Sequence, residues 1–458
     1  MSSVQNVSQS EVTRDWVYET DRKHVFHSWS AQAHISPLPI AGAKGSYFWD
    51  YDNKKFLDFS SQLVNVNLGH QHPKMIEAIQ KQAADLVYIG PGFAHAARSE
   101  AAQLIASVAP EGMNKVFFTN GGADANEHAV RMARHHTGRM KVLSAYRSYH
   151  GATGGAITLT GEPRRWAVEP TAAAATVHFW GPYAYRSAFH AENEAQECER
   201  ALKHLRDTVV VEGPERIAAI IMETVVGTNG ILVPPQGYLA GVRALCDEFG
   251  IMMICDEVMA GFGRCGEWFA INHWNVTPDL ITFAKGANSG YVPLGGVILS
   301  DAVAKTFDET PYPGGLTYSG HLLACASAAA SIKIFKEENI IDNARRIGQE
   351  VIAPRLQELA AKHPSIGEYR GLGVFWGIDL VRDRDTREPL VPFNAKGADA
   401  KPMVEFASAC REAGLWPFVH FNRTHIAPPC TVTADEAEQG LDILDQALVV
   451  ADRYYTGK

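Results

Sequence analysis

Four short segments of this 458-residue chain place chemically capable residues just after runs of apolar ones, and a fifth gathers glycines and hydroxyls. The run LITF at 280–283 leads through Ala284 to Lys285-Gly286, and IMMIC at 251–255 leads to Asp256-Glu257-Val258. A lysine at the end of a buried strand has a lowered pKa, because desolvation disfavours its charged form. Its lone pair is then free to form a Schiff base. An aspartate in such a place is costly to bury without a cation or hydrogen-bond donors. A protonated ring nitrogen would serve as that partner, and so would Arg264. The run KVFFT at 115–119 enters Asn120-Gly121-Gly122-Ala123-Asp124 and then a helical pattern. Small residues there leave N–H groups free at a helix N-terminus, where the dipole favours a phosphate, although they suit an ordinary tight turn equally well. KVLS at 141–144 leads to Tyr149-His150-Gly151, whose aromatic ring could stack on a flat heterocycle or simply fill core. Gly314 to His321 mixes glycines with the hydroxyls of Thr317, Tyr318 and Ser319 and could approach an anion closely.

Singly, each segment has an ordinary structural explanation, since most lysines lie on solvated faces and most buried aromatics only pack. Together they supply a phosphate cradle, a stacking ring, a buried acid for a ring nitrogen and a reactive lysine. Those are the requirements of pyridoxal 5′-phosphate (PLP), whose ring accepts electrons when its nitrogen stays protonated.

The elements that must position these residues follow from the hydrophobic pattern. Apolar runs at 115–119, 141–144, 217–222, 251–255, 280–283 and 296–299 alternate with helical stretches. That alternation predicts an α/β fold whose largely parallel sheet is covered on both faces and binds ligands at the carboxyl ends of its strands. The stretch from Gly45 to Phe59 alternates aromatic and polar residues around an Asp-Asn turn and predicts a hairpin. His72-Pro73 opens an amphipathic helix carrying Met75, Ile76, Ile79 and Ala83. Beyond about residue 325 a long helix, a strand or hairpin at 370–380 and a closing helix at 434–453 read as a smaller α+β domain. The expected organisation is a mobile tail at 1–20, a segment at 21–75 packing with the small domain, a large cofactor domain at 76–325 and the small domain at 326–458.

Composition narrows the classes. Lys and Arg number 42 against 51 Asp and Glu, a formal charge of −9, so no basic field invites nucleic acid. The apolar runs are far shorter than the roughly 20 residues that span a bilayer, and the polar start lacks a secretory pattern. Seven scattered cysteines suit a reducing compartment, so the cytoplasm is the expected location. Gly261, Gly263 and Gly266 match G-x-G-x-x-G, but five residues separate them from the strand and no ribose-binding acid follows at the right distance. The pairs His70/His72 and His135/His136 lack a third ligand at metal spacing, so no metal is expected.

Asp256-Glu257-Val258, Gly261 to Arg264, Pro278-Asp279, Ala284-Lys285-Gly286 and Pro293 to Gly296 resemble the signature of class III aminotransferases. Thr119 to Asn126, Tyr149-His150-Gly151, Thr317 to His321 and Arg370 to Gly373 match the same family in the same order. The resemblance runs from about Asp21 to the closing helix. It implies a PLP-dependent transferase of fold type I, working as a homodimer that could pair into a tetramer, with active sites at the subunit interface. Lys285 would be the Schiff-base lysine and proton shuttle, Asp256 the partner of the ring nitrogen, and Tyr149 and Val258 the residues on the two ring faces. Gly121, Gly122 and Ala123 would hold the phosphate, joined by Thr317 from the partner subunit. Glu223 falls where the family keeps an active-site acid, here followed by Thr224 in place of the usual proline, and Ala123 replaces the usual serine.

Within the family, residues 24–29, 61–66 and 89–93 are similar to the branch that includes taurine:pyruvate and ω-amino acid or amine:pyruvate aminotransferases. That branch implies an amino donor without an α-carboxylate and pyruvate as acceptor, by a ping-pong mechanism. Trp29, Tyr88 and Phe93 would wall the donor pocket. Arg423 would bind a carboxylate or sulfonate, for which its fork is suited, or else would be an exposed loop residue. Three other readings are a different PLP reaction such as an aminomutase or decarboxylating transamination, a nicotinamide dehydrogenase, and a non-catalytic binding protein.

Overall fold

Each apolar run forms a strand, and the register between the parallel ones places their last residues side by side. The computed structural model describes residues 12–168 and 175–457. Seven strands make the central sheet in the order Lys115–Thr119, Gly295–Leu299, Leu280–Phe283, Met252–Asp256, Ile217–Glu223, Lys141–Ala145, Thr176–Phe179. Glu223 pairs with Asp256 and Asp256 with Thr282, so two acids share the carboxyl edge of the sheet. Gly295–Leu299 runs antiparallel to both neighbours. The link from Phe283 to Gly295 holds only the short turn Lys285–Ala287, and a parallel neighbour would need a longer crossover. The sheet is buried on both faces, as its continuous apolar strands require. Ala125, Ala129 and Ala133 of the helix Gly122–Thr137 cover one face. Leu205, Val242 and Ile332, from three other helices, help cover the opposite face.

The N-terminal hairpin joins the C-terminal part through a parallel pair, Leu57 opposite Leu415. Leu57, Phe59, Leu68 and Met75 share a core with Leu356, Ile378, Phe406 and Leu441. The helix Leu322–Glu337 serves both cores, with Cys325 and Ala328 in one and Ile334 and Phe335 in the other. A second sheet, Ile366–Leu372, Phe375–Asp383, Arg423–Ile426 and Phe418–His420, brings its last strand to the mouth of the central sheet. The helix Ala434–Asp452 begins at a capping box between Thr433 and Glu436.

Two expectations change. The tail foreseen for residues 1–20 gives way earlier, because Thr13 caps a helix at Arg14–His24; the portion at 1–11 lies outside the described residues. The helix Pro73–Asp85 forms as predicted but buries only Met75 and Gln82, leaving Ala83 exposed with Leu86, Val87 and Tyr88 beyond it. Among the described residues no helix is long and apolar enough to cross a membrane.

Candidate active site

A cavity of about 1240 Å³ opens at the carboxyl edge of the central sheet. Gly121, Gly122 and Ala123 line it from one side, Tyr149 and Glu223 from another, and Asp256, Val258 and Lys285 from its floor. Trp29 stands at its rim.

Asp256 is held by donors on every side. Its Oδ2 accepts from Asn126 Nδ2 at 2.8 Å and faces His150 Nδ1 at 2.7 Å, and its Oδ1 accepts from Val258 N at 3.0 Å. Thr282 in turn donates to Asn126 Oδ1, fixing the amide. A buried carboxylate ringed by N–H groups has part of its lost hydration replaced and keeps acceptor capacity for one further donor. Arg264 is not that donor. It is fully buried and gives its hydrogen bonds to Pro428 O, Ser61 Oγ and Asn67 Oδ1, tying the loop after Asp256 to the small domain.

Lys285 begins the turn after its strand with a backbone φ of 39°, a left-handed conformation unusual for a side-chain-bearing residue. Burial lowers its pKa, and Arg164 lowers it further, while Asp256 and Glu223 oppose the shift. All three charges therefore act on the lysine amine. Glu223 accepts from the backbone N–H groups of Tyr149 and Gly227, both at 2.8 Å. Burial pushes its carboxyl up to about 7, with the Asp256 charge adding to the rise and His150 working against it.

The residues fit PLP on structural grounds. Gly121 and Gly122 start a 16-residue helix with no side-chain cap, leaving its first N–H groups unclaimed by side chains. A Cβ at Gly121 would meet nothing within 4 Å, and one at Gly122 would stand 2.8 Å from Val258 Cγ1. The helix start at Gly122 and the Val258 side chain thus pack closely, and both line the cavity with Lys285.

The cavity holds residues that sequence reasoning passed over. Arg164, from the loop after Gly161, lies with its guanidinium carbon 3.7 Å from the centre of the Tyr149 ring. Its Nε donates to the buried Glu162, while one terminal nitrogen is buried without a partner. His420 lies 4.0 Å from the other oxygen of Glu162. The sequence signal for Arg164 is an arginine pair beside a tryptophan, Arg164-Arg165-Trp166, and Arg164 sits in a short 3-10 turn.

Arg423 does not line the cavity. It is buried, with Nε 3.2 Å from Asp379 Oδ2 and its NH1 donating to Asn229 O. Asp379 also gathers Arg186, Arg370, Tyr183 and Asn422, and these arginines hold its carboxyl well below the usual range. Arg423 is therefore neither the free anion reader nor the exposed loop residue of the two expectations, because its charge is already paired. Thr317, Tyr88 and Phe93 lie together elsewhere on the surface, off their own chain's cavity: Tyr88 Oη donates to Thr317 O at 2.8 Å, and Arg98 holds Phe93 O and Gly320 O. The glycines 261, 263 and 266 lead into packed turns rather than a helix N-terminus, with Gly263 against Phe335 and Gly266 against Arg345. Among the described residues no three potential metal ligands cluster, and His70 and His72 face Asp58 and Glu338.

Comparison with known proteins agrees with this geometry. The profile described as Aminotransferase class-III matches residues 29–448. A taurine–pyruvate aminotransferase of Bilophila wadsworthia is 32% identical over 445 residues, 92% of this chain and 95% of that protein. A putrescine–pyruvate aminotransferase of Pseudomonas aeruginosa is 36% identical over 358 residues, 76% of this chain and 78% of that one. The crystal structure of taurine:2-oxoglutarate aminotransferase from Bifidobacterium kashiwanohense, in complex with PLP and glutamate, superposes with a TM-score of 0.93 at 40% identity, covering 97% of this chain and 99% of that one.

Proposed function

The chain belongs to the class III aminotransferases, which use PLP, and from that premise we propose that it takes its amino group from a short donor bearing a remote anion. Taurine and β-alanine are the type, and a keto acid such as pyruvate is the acceptor. The observation that carries this reading is Arg164: a cation over Tyr149, inside the cavity, within electrostatic reach of Lys285, with a guanidinium nitrogen unpaired. A sulfonate or carboxylate would fill that vacancy while the donor's amine reaches the floor. An uncharged primary amine, the alternative within the same branch, would leave it unsatisfied.

When bound here, PLP supplies an aldehyde for the donor's amino group and an electron-poor ring that stabilises charge at the donor carbon. The remaining work belongs to the chain. Lys285 would hold the cofactor, and its amine of lowered pKa would be the base that moves the proton at the donor carbon. Asp256, held by Asn126 and Val258 N and in contact with His150, would pair with the ring nitrogen. Tyr149 and Val258 would confine the ring, and the amides of residues 121–123 would hold the phosphate.

The working unit is a homodimer with shared sites. Exposed Leu86, Val87, Tyr88, Phe93 and Tyr318 form an apolar surface around Thr317 that supports this arrangement. Docked on a partner, it would bring Thr317, Tyr88 and Phe93 to the neighbouring cavity. For the acceptor, a second cation at the cavity, Lys396, favours a second reading in which a dicarboxylic keto acid such as 2-oxoglutarate is taken.

The test is a set of half-reactions. Holoprotein mixed separately with taurine, β-alanine, L-alanine and (S)-1-phenylethylamine should lose its yellow colour with the first two, and pyruvate or 2-oxoglutarate should restore it. Bleaching by the aromatic amine but not by taurine or β-alanine overturns the anionic donor. Comparison of the two keto acids decides the acceptor.

A further inference from the structure

His420 is the second polar group that the anion pocket leaves unpaired. It ends the strand Phe418–His420 and lines the cavity, its ring 3.9 Å from that of Phe421, which restrains its tilt. Its Nε2 is buried and has no hydrogen-bond partner, and the 4.0 Å to Glu162 Oε2 is too long to count as one. Burial and the nearby Arg164 and Arg423 lower its pKa to about 3, so the ring is neutral at physiological pH. A neutral imidazole has one N–H. Nε2 looks towards the Glu162 carboxylate, which favours an N–H over a lone pair there, so the proton belongs on Nε2 as a donor that has no partner within hydrogen-bond distance.

Glu162 stands between the two groups, taking Arg164 on one oxygen and approaching His420 with the other. Arg164 and His420 therefore flank a single notch in the cavity wall. An arginine fork pairs with two oxygens of an anion, which satisfies a planar carboxylate completely. A sulfonate has a third oxygen, and its burial without a donor is unfavourable.

We infer that His420 is a specificity-determining residue that donates a hydrogen bond to this third oxygen, so that the pocket favours a sulfonate over a carboxylate on a chain of the same length. This rests on the reading of Arg164 as the anion-binding residue, and the experiment separates the two. Isothermal titration of the PLP-loaded protein with isethionate and with 3-hydroxypropionate compares the two anions without an amine or any turnover. The ratio of kcat/KM for taurine and β-alanine gives the same comparison in catalysis.

The unaltered protein should bind isethionate more tightly than 3-hydroxypropionate. His420→Phe should weaken isethionate roughly ten- to hundredfold, the loss of one charge-assisted hydrogen bond, and weaken 3-hydroxypropionate far less. His420→Asn, which offers an amide N–H, should recover part of the difference. Equal losses on both anions, or none, overturn the inference about His420 while leaving the anionic donor standing. If Arg164→Leu binds both anions as well as the unaltered protein does, the reading of Arg164 falls, and the inference with it.

Discussion

Replacing Gly122 by alanine tests the cofactor cradle at one carbon atom. Gly122 opens the helix Gly122–Thr137, and its φ is not left-handed, so the backbone accepts an L-residue there. On propensity alone alanine is the better helix former, by about 1 kcal/mol in helix interiors. The obstacle is steric. The new Cβ would stand 2.8 Å from Val258 Cγ1 and 3.0 Å from Cγ2. Carbon atoms settle at about 3.5–4.0 Å, so Val258 or the helix start must yield by roughly 0.7 Å. Without cofactor the valine can lean into the open cavity at little cost. With a ring packed against it that escape is closed, and overpacking of this kind costs about 1–3 kcal/mol. At 1.4 kcal/mol per factor of ten, PLP should dissociate from Gly122→Ala about five- to hundredfold more readily. Equilibrium dialysis with absorbance of the retained cofactor measures this, and the Tm of the apoprotein should barely move. Val258→Ala removes both offending methyl groups, so the double variant should bind PLP better than Gly122→Ala alone, a coupling that a double-mutant cycle isolates. An unchanged PLP affinity in the single variant, or a double variant no better than it, would refute the cradle.

Other consequences can be checked separately. Lys285→Ala should abolish turnover and the covalent attachment of PLP after borohydride reduction; co-expressed with a Thr317→Asp chain, itself impaired, it should form hybrid dimers that regain activity through one intact site, whereas an inactive hybrid speaks against shared sites. Burial pushes the Glu257 carboxyl up to about 7, above the roughly 4.3 of an unfolded chain, so the folded state holds a proton that the unfolded state has released. The stability from this group is thus fullest below about pH 4.3 and is lost as pH rises through about 7; Glu257→Gln should flatten the fall in apoprotein Tm over that window, with a residual slope from Glu223, and an unaltered slope contradicts the assignment. Arg264→Met should cost about 3–5 kcal/mol in urea denaturation, since it strips a donor from Pro428 O, Ser61 Oγ and Asn67 Oδ1 in the interior; a loss below 1 kcal/mol would mean those acceptors find other partners.

Much of the fold is legible because strand-forming runs and helix caps are local patterns. The capping box at Thr433, the proline opening Pro73–Asp85 and the continuous apolar strands all depend on residues near in sequence. The direction of Gly295–Leu299 was not readable from its own composition, since a buried strand looks alike whichever way it runs. Likewise Ala83 fits the apolar face of its helix, and only packing shows that this end of the face is left uncovered.

The sequence by itself determined which residues would stand at the ends of the strands. An apolar run that stops at Asp256 or Lys285 must present that residue at the sheet edge, so the kinds of groups there were already decided. Only the tertiary structure decided which groups meet. Strand register set Glu223 beside Asp256, and His150 and Asn126 came from two other segments to surround the acid. The arginine put forward from the sequence and the one passed over also parted ways. Arg423 went to Asp379, which draws in three arginines, while Arg164 gave its Nε to Glu162, lay over Tyr149 and kept a nitrogen left over. An arginine's role is set by which carboxylate reaches it first in space, and residues far apart along the chain leave no local pattern that announces the pairing.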